Sequence, residues 1–309
     1  MLKWTLRLAL GLLVLALLLG QRETLLALLQ TLRAVPFWAI LASVIFYGAG
    51  QLLCAYKWQI LLRKRGANVG LGACARAYFA GMFGNLWLPT NIGGDALKTA
   101  ILHREIAPKN PQIGLSDVAA SVVVERLTGF LALLFLGALG ALWSGARNAQ
   151  TLQILGGALG VLAVFAGVIW VSKHVKHRKI QLLRAALNLY AQPQNRATLG
   201  VALALSLAFQ VSQIVLNIGL ARAANLGVSD AIFWWLGPLL SLSGLVPIGI
   251  GGLGVREAAA VAFLGGTVPY GAIVGWSLLW QATVWLCSLP GVLFVRRLPR
   301  EVKNQAPEN

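Results

Sequence analysis

Long apolar runs separated by short polar breaks, most of them basic, set the pattern of this chain. An apolar run of about 20 residues crosses a hydrocarbon core as a helix, so the pattern predicts an all-α, polytopic membrane protein. Residues 4–20 form the first run, behind Lys3 and Arg7. No small-x-small cleavage pattern follows Gly20, so this run is expected to remain as a spanning helix. Gln21, Arg22 and Glu23 then open a short amphipathic stretch that reaches Arg33 and lies at the membrane surface. Pro36 opens the next span, which extends to about Leu62 and stops at Arg63-Lys64-Arg65, a cytoplasmic marker. Ser116 and Asp117 cap a span over 116–143, since both side chains bond free amides of a first turn. A short outer loop, 144–150, leads to the span 151–171, where Gly156 and Gly160 form a close-packing face. The cluster Lys173 to Lys179 is cytoplasmic and precedes an interfacial helix over 180–191, ended by Pro193. Residues 197–222 and 270–295 complete the spans, and Arg296-Arg297 places the C-terminus in the cytoplasm.

Two stretches break this rhythm in matching ways. Leu88 to Lys98 reads LPTNIGGDALK and Val246 to Arg256 reads VPIGIGGLGVR. Aligning Pro89 with Pro247 also aligns Ile92 with Ile250, Gly93 with Gly251, Gly94 with Gly252 and Lys98 with Arg256. Proline removes a backbone donor and paired glycines admit non-helical dihedrals, so each site reads as a helix interruption. Within a bilayer such a break is tolerated only where protein or a watery cavity satisfies the freed backbone. The segment 72–88 rises from the cytoplasm, breaks at Pro89 and returns over about 94–105, where His103, Arg104 and Lys109 follow. The segment 230–246 enters from outside, breaks at Pro247 and returns over about 254–265. The result is six full spans and two inverted re-entrant hairpins related by a pseudo-two-fold, the pattern that marks a transport site between repeats. A rival count, with the hairpin arms as complete spans, fits the same sequence. Residues 1–298 form one transmembrane domain and 299–309 a polar tail expected to be disordered.

Composition sharpens this picture. The chain is 58% hydrophobic and 11% charged, against about 25% charged in soluble domains. Its net charge of +17 suits cytoplasmic loops and anionic headgroups rather than nucleic acid, because no basic stretch is interleaved with exposed aromatics. The topology leaves only Arg22, Arg33, Arg147 and Arg222 outside among the loop cations. Cys54, Cys74 and Cys287 lie far apart in apolar stretches, and His174 and His177 sit in a solvated basic loop. Neither a metal nor any other cofactor is expected. No Ser/His/Asp or Cys/His set occurs at a plausible site, and the Gly-Gly motifs lack a strand–helix unit, so no enzyme is expected.

Ionisable residues at membrane depth are costly and default to function. They are Arg76, Asp95 with Lys98, Glu125 with Arg126, Arg256 with Glu257, and Lys57. Lys57 is near a cytoplasmic end and is expected to snorkel; Arg76 stays undecided. Neighbouring helical residues diverge by about 100°, so Glu125 and Arg126 take different partners. Crossed pairs are expected, with Glu125 or Asp95 facing Arg256 or Lys98 of the other repeat. Such pairs either bind a substrate or merely hold helices together. The helices restarting after Gly94 and Gly252 point free N–H groups inward, which suits a phosphate or carboxylate beside Lys98 and Arg256. Gln210, Gln213 and Asn217 share one face and either line a polar cavity or bond between helices.

The motifs LPTNIGGDALKTAIL, SVVVERLTGFLALL, VPIGIGGLGVREAAAVAFLG and the LPG at Leu289-Pro290-Gly291 carry a resemblance. Over roughly Leu6 to Arg297 the chain resembles the lysylphosphatidylglycerol synthase transmembrane-region family of flippase-like membrane proteins. The resemblance implies an all-helical plasma-membrane domain, bacterial or archaeal in type, that moves lipids between leaflets. Its motif positions fall on Pro89, Gly93, Gly94, Asp95, Lys98, Glu125, Arg126, Pro247, Gly251, Gly252, Gly254, Arg256 and Glu257. Thr90-Asn91 departs from the pattern, since many relatives place a glycine after the proline. The chain carries no soluble aminoacyl-transfer part after the membrane region, so lysyl transfer is not expected. Two functions follow: translocation of a phosphate-bearing anionic lipid, either a glycerophospholipid or a polyprenyl-phosphate-linked sugar, or a non-transporting accessory role for a lipid-modifying enzyme partner.

Overall fold

The computed structural model describes residues 20, 22–87, 91–143, 188, 190, 192–243 and 254–295. The span 151–171, the loop 144–150, the basic cluster 173–179 and the tail 299–309 lie outside these residues, as does the first span up to residue 19. So do Pro89, Pro247, Gly251 and Gly252, and nearly all of 180–191. Among the described residues every regular element is helical. They are α1 (Arg22–Ala34), α2 (Phe37–Lys64), α3 (Leu71–Asn85), α4 (Asn91–Ile106), α5 (Leu115–Trp143), α6 (Arg196–Ala223), α7 (Phe233–Ser243), α8 (Val255–Leu264) and α9 (Tyr270–Ser288). A 3-10 turn and a last helical turn, Val292–Val295, extend α9.

Four segments, Phe37–Lys64, Leu115–Trp143, Pro193–Ala223 and Tyr270–Val295, are long and apolar enough to cross a membrane. The protein is an integral, multi-pass membrane protein. Local chemistry sets the ends of these spans close to where the apolar pattern puts them. Pro36 has no N–H to leave unsatisfied and holds an extended backbone just ahead of α2. At the other end Gly66 takes φ +84°, its N–H bonds to the Arg63 carbonyl at 2.9 Å, and the Ala67 N–H reaches Leu62 at 3.2 Å. This paired closure stops a helix by using its last free carbonyls, and the left-handed residue it needs is usually glycine. Asn225 at φ 51° ends α6 in the same manner, with Leu226 donating to Ala221 at 2.9 Å. Ahead of α5, the Asp117 carboxylate accepts the Gly114 N–H at 2.9 Å and also pairs with Arg65.

The polarity of the bundle is inverted relative to a water-soluble protein. Phe37 and Trp38 on α2 and Leu142 and Trp143 on α5 are 78%, 69%, 71% and 69% exposed, while Lys57, Lys98, Glu125, Arg256 and Glu257 are buried. A surface of that kind suits lipid and an interior of that kind needs internal partners. Small residues let the helices approach. A Cβ on Gly140 would sit 2.5 Å from the Trp234 backbone of α7, and one on Gly271 would sit 2.7 Å from the Leu28 nitrogen of α1. Backbone contact at small residues is how helices associate where water supplies no hydrophobic drive.

The helices α3 and α4 form an antiparallel pair of 15 and 16 residues, shorter than the about 20 a full crossing needs. Here the structure corrects the sequence reading. The return helix begins at Asn91, not after Gly94, so Gly93 and Gly94 lie in its first turn. Gly94 serves close approach instead: a Cβ there would collide with the Gly81 carbonyl and the Asn85 side chain. The Asn85 Oδ1 also accepts the Gly94 N–H at 2.9 Å.

Candidate functional site

Helix α4 presents Asp95 and Lys98 one turn apart, and α5 presents Glu125 and Arg126 side by side. Because adjacent helical residues diverge, the two from α5 reach different partners on α4. Lys98 Nζ lies 2.6 Å from Glu125 Oε2 and 3.4 Å from Asp95 Oδ1. Arg126 forks onto Asp95, with its Nε 2.9 Å from Oδ2 and an Nη 2.6 Å from Oδ1. A two-bonded fork of this kind is the strongest geometry an arginine–carboxylate pair takes. The Tyr78 hydroxyl donates to Glu125 Oε1 at 3.0 Å. Lys98 and Glu125 are each 2% exposed, so each is costly without the other. The Lys98 ammonium also lies 4.3 Å from the centre of the Tyr78 ring and 5.0 Å from that of Trp58, where the negative faces of the rings attract it.

Lys57 joins this cluster. It is buried and donates to the Glu125 backbone carbonyl at 3.1 Å and to Ser206 Oγ at 2.9 Å, and it stands 3.8 Å from the Glu125 carboxylate. The expected snorkelling is therefore wrong. The side chain turns into the bundle because α5 and α6 offer it oxygens that lipid does not. Arg76, undecided from sequence, pairs with Glu105 at an exposed position.

Arg256, on the first turn of α8, is held differently. An Nη donates to the Asn217 Oδ1 of α6 at 2.8 Å. Its guanidinium carbon sits 3.9 Å from the centre of the Trp280 ring and 5.6 Å from that of Trp276. No carboxylate pairs with it among the described residues, and its buried Nε has no hydrogen-bond partner among them. The adjacent Glu257 does not reach it. Gly254, at φ +87°, gives its N–H to Glu257 Oε2 at 2.6 Å, and Ser277 Oγ donates to Glu257 Oε1 at 2.8 Å. Glu257 thus fastens the start of α8 to α9, a carboxylate closing a helix amino end.

These elements enclose a cavity of about 270 Å³. Arg126 and Arg256 supply its cations, and Gln51, Gln210, Gln213 and Gln281 supply amides. All four spanning segments contribute to its wall. The polar stripe of α6 therefore does both things expected of it. Gln210 and Gln213 line the cavity, Gln210 also bonds to the Gly129 carbonyl at 3.3 Å, and Asn217 holds Arg256.

The structure brings Asp95, Lys98, Glu125 and Arg126 into one network: of the pairs expected, Glu125 with Lys98 forms, while neither Glu125 nor Asp95 meets Arg256. The Lys98–Glu125 and Arg126–Asp95 pairs join α4 to α5, because the tight α3–α4 packing turns Asp95 and Lys98 toward α5. Gly93 and Gly94 stand at the start of α4, beside the network. Tyr78, Trp58 and Trp280 are neighbours that sequence reading missed. The signal available for Trp280 was its spacing from Trp276, four residues apart on one helix face. Among the described residues no group of three or more His, Cys, Asp or Glu side chains has the geometry to hold a metal ion.

A comparison with curated proteins finds no match. A protein-family comparison matches residues 4–291 to the lysylphosphatidylglycerol synthase TM region, which takes in every motif noted above and every helix that walls the cavity. By that match, the chain belongs to the lysylphosphatidylglycerol synthase transmembrane-region family.

Proposed function

We propose that the protein is a flippase-like translocator that takes the phosphate-bearing headgroup of an anionic lipid into the central cavity and passes it between leaflets. The observation that carries this reading is Arg256, a buried guanidinium aimed into the cavity and held only by neutral groups among the described residues. A buried charge without a counter-charge costs several kcal/mol, and a lipid phosphate removes that cost. Arg126 reaches the same cavity from the other half of the chain, already balanced by Asp95. At about 270 Å³ the space is below the about 300–1,000 Å³ of sites that swallow whole ligands, so it suits a headgroup whose tails stay in lipid. In this reading the segments around Pro89 and Pro247 are the tips of two inverted re-entrant hairpins within six full spans, α3–α4 being one hairpin and α7–α8 the return of the other.

The test uses proteoliposomes carrying fluorescent phosphatidylglycerol, with leaflet exchange read from loss of signal to an impermeant quencher. Wild type should accelerate exchange and Arg256→Gln should not, while both proteins fold. Equal rates in protein-containing and protein-free vesicles would overturn translocation and leave the accessory role for a lipid-modifying enzyme.

A further inference from the structure

The cavity's chemistry goes further than its charge, because acidic groups are few enough in this chain to be accounted for individually. There are nine Asp and Glu residues. Glu301 and Glu308 stand in the terminal segment 299–309, and Glu23 opens α1. Glu105, Asp117 and Asp230 each hold an arginine near a helix end: Arg76, Arg65 and Arg222. That leaves Asp95, Glu125 and Glu257, and each is already committed. Asp95 is forked by Arg126, Glu125 binds Lys98 and Tyr78, and Glu257 closes α8. The segments 88–90, 144–187 and 244–253 contain no acidic residue in their sequence. Among the described residues no Asp or Glu lines the cavity to face a cationic ligand.

What the cavity offers instead is amides and aromatic faces around one uncompensated cation. Among the described residues the cations of the cavity wall are Arg126 and Arg256; Arg126 is forked by Asp95, which leaves Arg256 as the wall cation held by neutral groups. One positive charge matches a phosphodiester, which carries one negative charge. Glutamine side chains line the space, and an amide carries both donor and acceptor atoms, the complement of a hydroxyl. Tyr47, Trp280 and Trp285 line the same space and provide flat apolar faces for the carbon skeleton of a sugar or polyol.

We propose that the cavity selects lipids whose single phosphodiester bears an uncharged, hydroxylated headgroup, a sugar or polyol, and turns away headgroups that carry an ammonium. An ammonium brought into this space loses its water and gains no counter-charge, a cost that hydrogen bonds to amides do not offset. This inference rests on the cavity being a lipid headgroup site. It also sets this chain apart from the lysyl lipid in its family's name, since a lysyl headgroup adds the charges this cavity cannot match.

The experiment measures binding of short-chain (dihexanoyl) lipids to the purified full chain by thermal unfolding in a neutral detergent. The probes are phosphatidylglycerol and phosphatidylinositol against phosphatidylethanolamine and lysylphosphatidylglycerol. The two hydroxylated lipids should bind about tenfold or more tightly than the two aminated ones. Gln213→Glu or Gln51→Glu places a carboxylate in the cavity wall and should narrow or reverse that ranking. The wild-type ranking alone decides the matter if either variant fails to fold. Equal binding of phosphatidylethanolamine and phosphatidylglycerol by wild type overturns the selectivity and leaves the anionic-lipid reading standing. Binding of no lipid overturns both.

Discussion

Two buried cations in this protein are satisfied by opposite means, and the difference is measurable. Lys98 is bound to carboxylates at 2.6 and 3.4 Å, whereas Arg256 rests on Asn217 and an indole face. Glu125→Gln removes the nearer of the two counter-charges of Lys98 and the carboxylate beside Lys57, and breaking a buried pair in this way typically costs about 3–5 kcal/mol. A large fall in unfolding temperature is expected, and adding Lys98→Met should recover part of it, since neighbouring charges couple non-additively. Arg256→Met should behave differently. It removes an uncompensated charge and keeps an unbranched apolar side chain, so stability should hold or rise while binding of phosphatidylglycerol is lost. A fall as large as that of Glu125→Gln would mean that Arg256 is a structural partner of the protein rather than of a ligand.

At the scale of elements, glycines divide by what lies opposite them. A Cβ at Gly94 meets the Gly81 carbonyl and the Asn85 amide across the α3–α4 contact, while one at Gly219, within α6, meets nothing within 4 Å. Gly94→Ala should therefore force the two helices apart at a cost of about 1–3 kcal/mol, the usual range for overpacking. It should also displace Asp95 and Lys98, so lipid binding should weaken with stability. Gly219→Ala should stabilise α6 by about 1 kcal/mol through helix propensity alone. Thermal unfolding of both variants beside wild type checks the pair. An unchanged Gly94→Ala would show that α3 and α4 do not approach each other as described.

At the scale of the whole molecule, side-chain ties show which loops share a membrane face. The Asn68 N–H donates to Asn110 Oδ1 at 2.6 Å, Gln112 donates to the Gly66 carbonyl at 3.3 Å, and the Tyr190 hydroxyl bonds to the Leu61 carbonyl at 2.9 Å. The loop after α2, the loop before α5 and the start of α6 therefore lie together, beside the basic triplet Arg63 to Arg65. The far end of α6, with Ser229 beyond it, lies on the opposite face. In a variant with Cys54, Cys74 and Cys287 replaced, Gln112→Cys should react with an impermeant thiol reagent only from the cytoplasmic side. Ser229→Cys and Thr267→Cys should react only from outside. Labelling of Gln112→Cys in intact cells would reverse the orientation argued from the cations.

The apolar pattern by itself determined most of the described architecture. The helices Phe37–Lys64, Leu115–Trp143 and Arg196–Ala223 fall within two residues of where hydropathy, Pro36, Asp117 and the basic triplet put them, because a bilayer admits few backbone solutions. The sequence also singled out Asp95, Lys98, Glu125, Arg126 and Arg256, since a charge in an apolar run stands out whatever surrounds it. Who meets whom was decided only in three dimensions. The 3.6-residue period places Lys98 on a face of α4, but the rotation of α4 against α5 selects Glu125 over any carboxylate of the other half. Lys57 was misread for the same reason: its position along α2 suggested an escape to the interface, and only the packing of α5 and α6 supplied nearer oxygens. The isolation of Arg256 was likewise hidden, because Glu257 stands beside it in sequence while helix geometry points the two side chains apart, one to Gly254 and Ser277 and the other into the cavity.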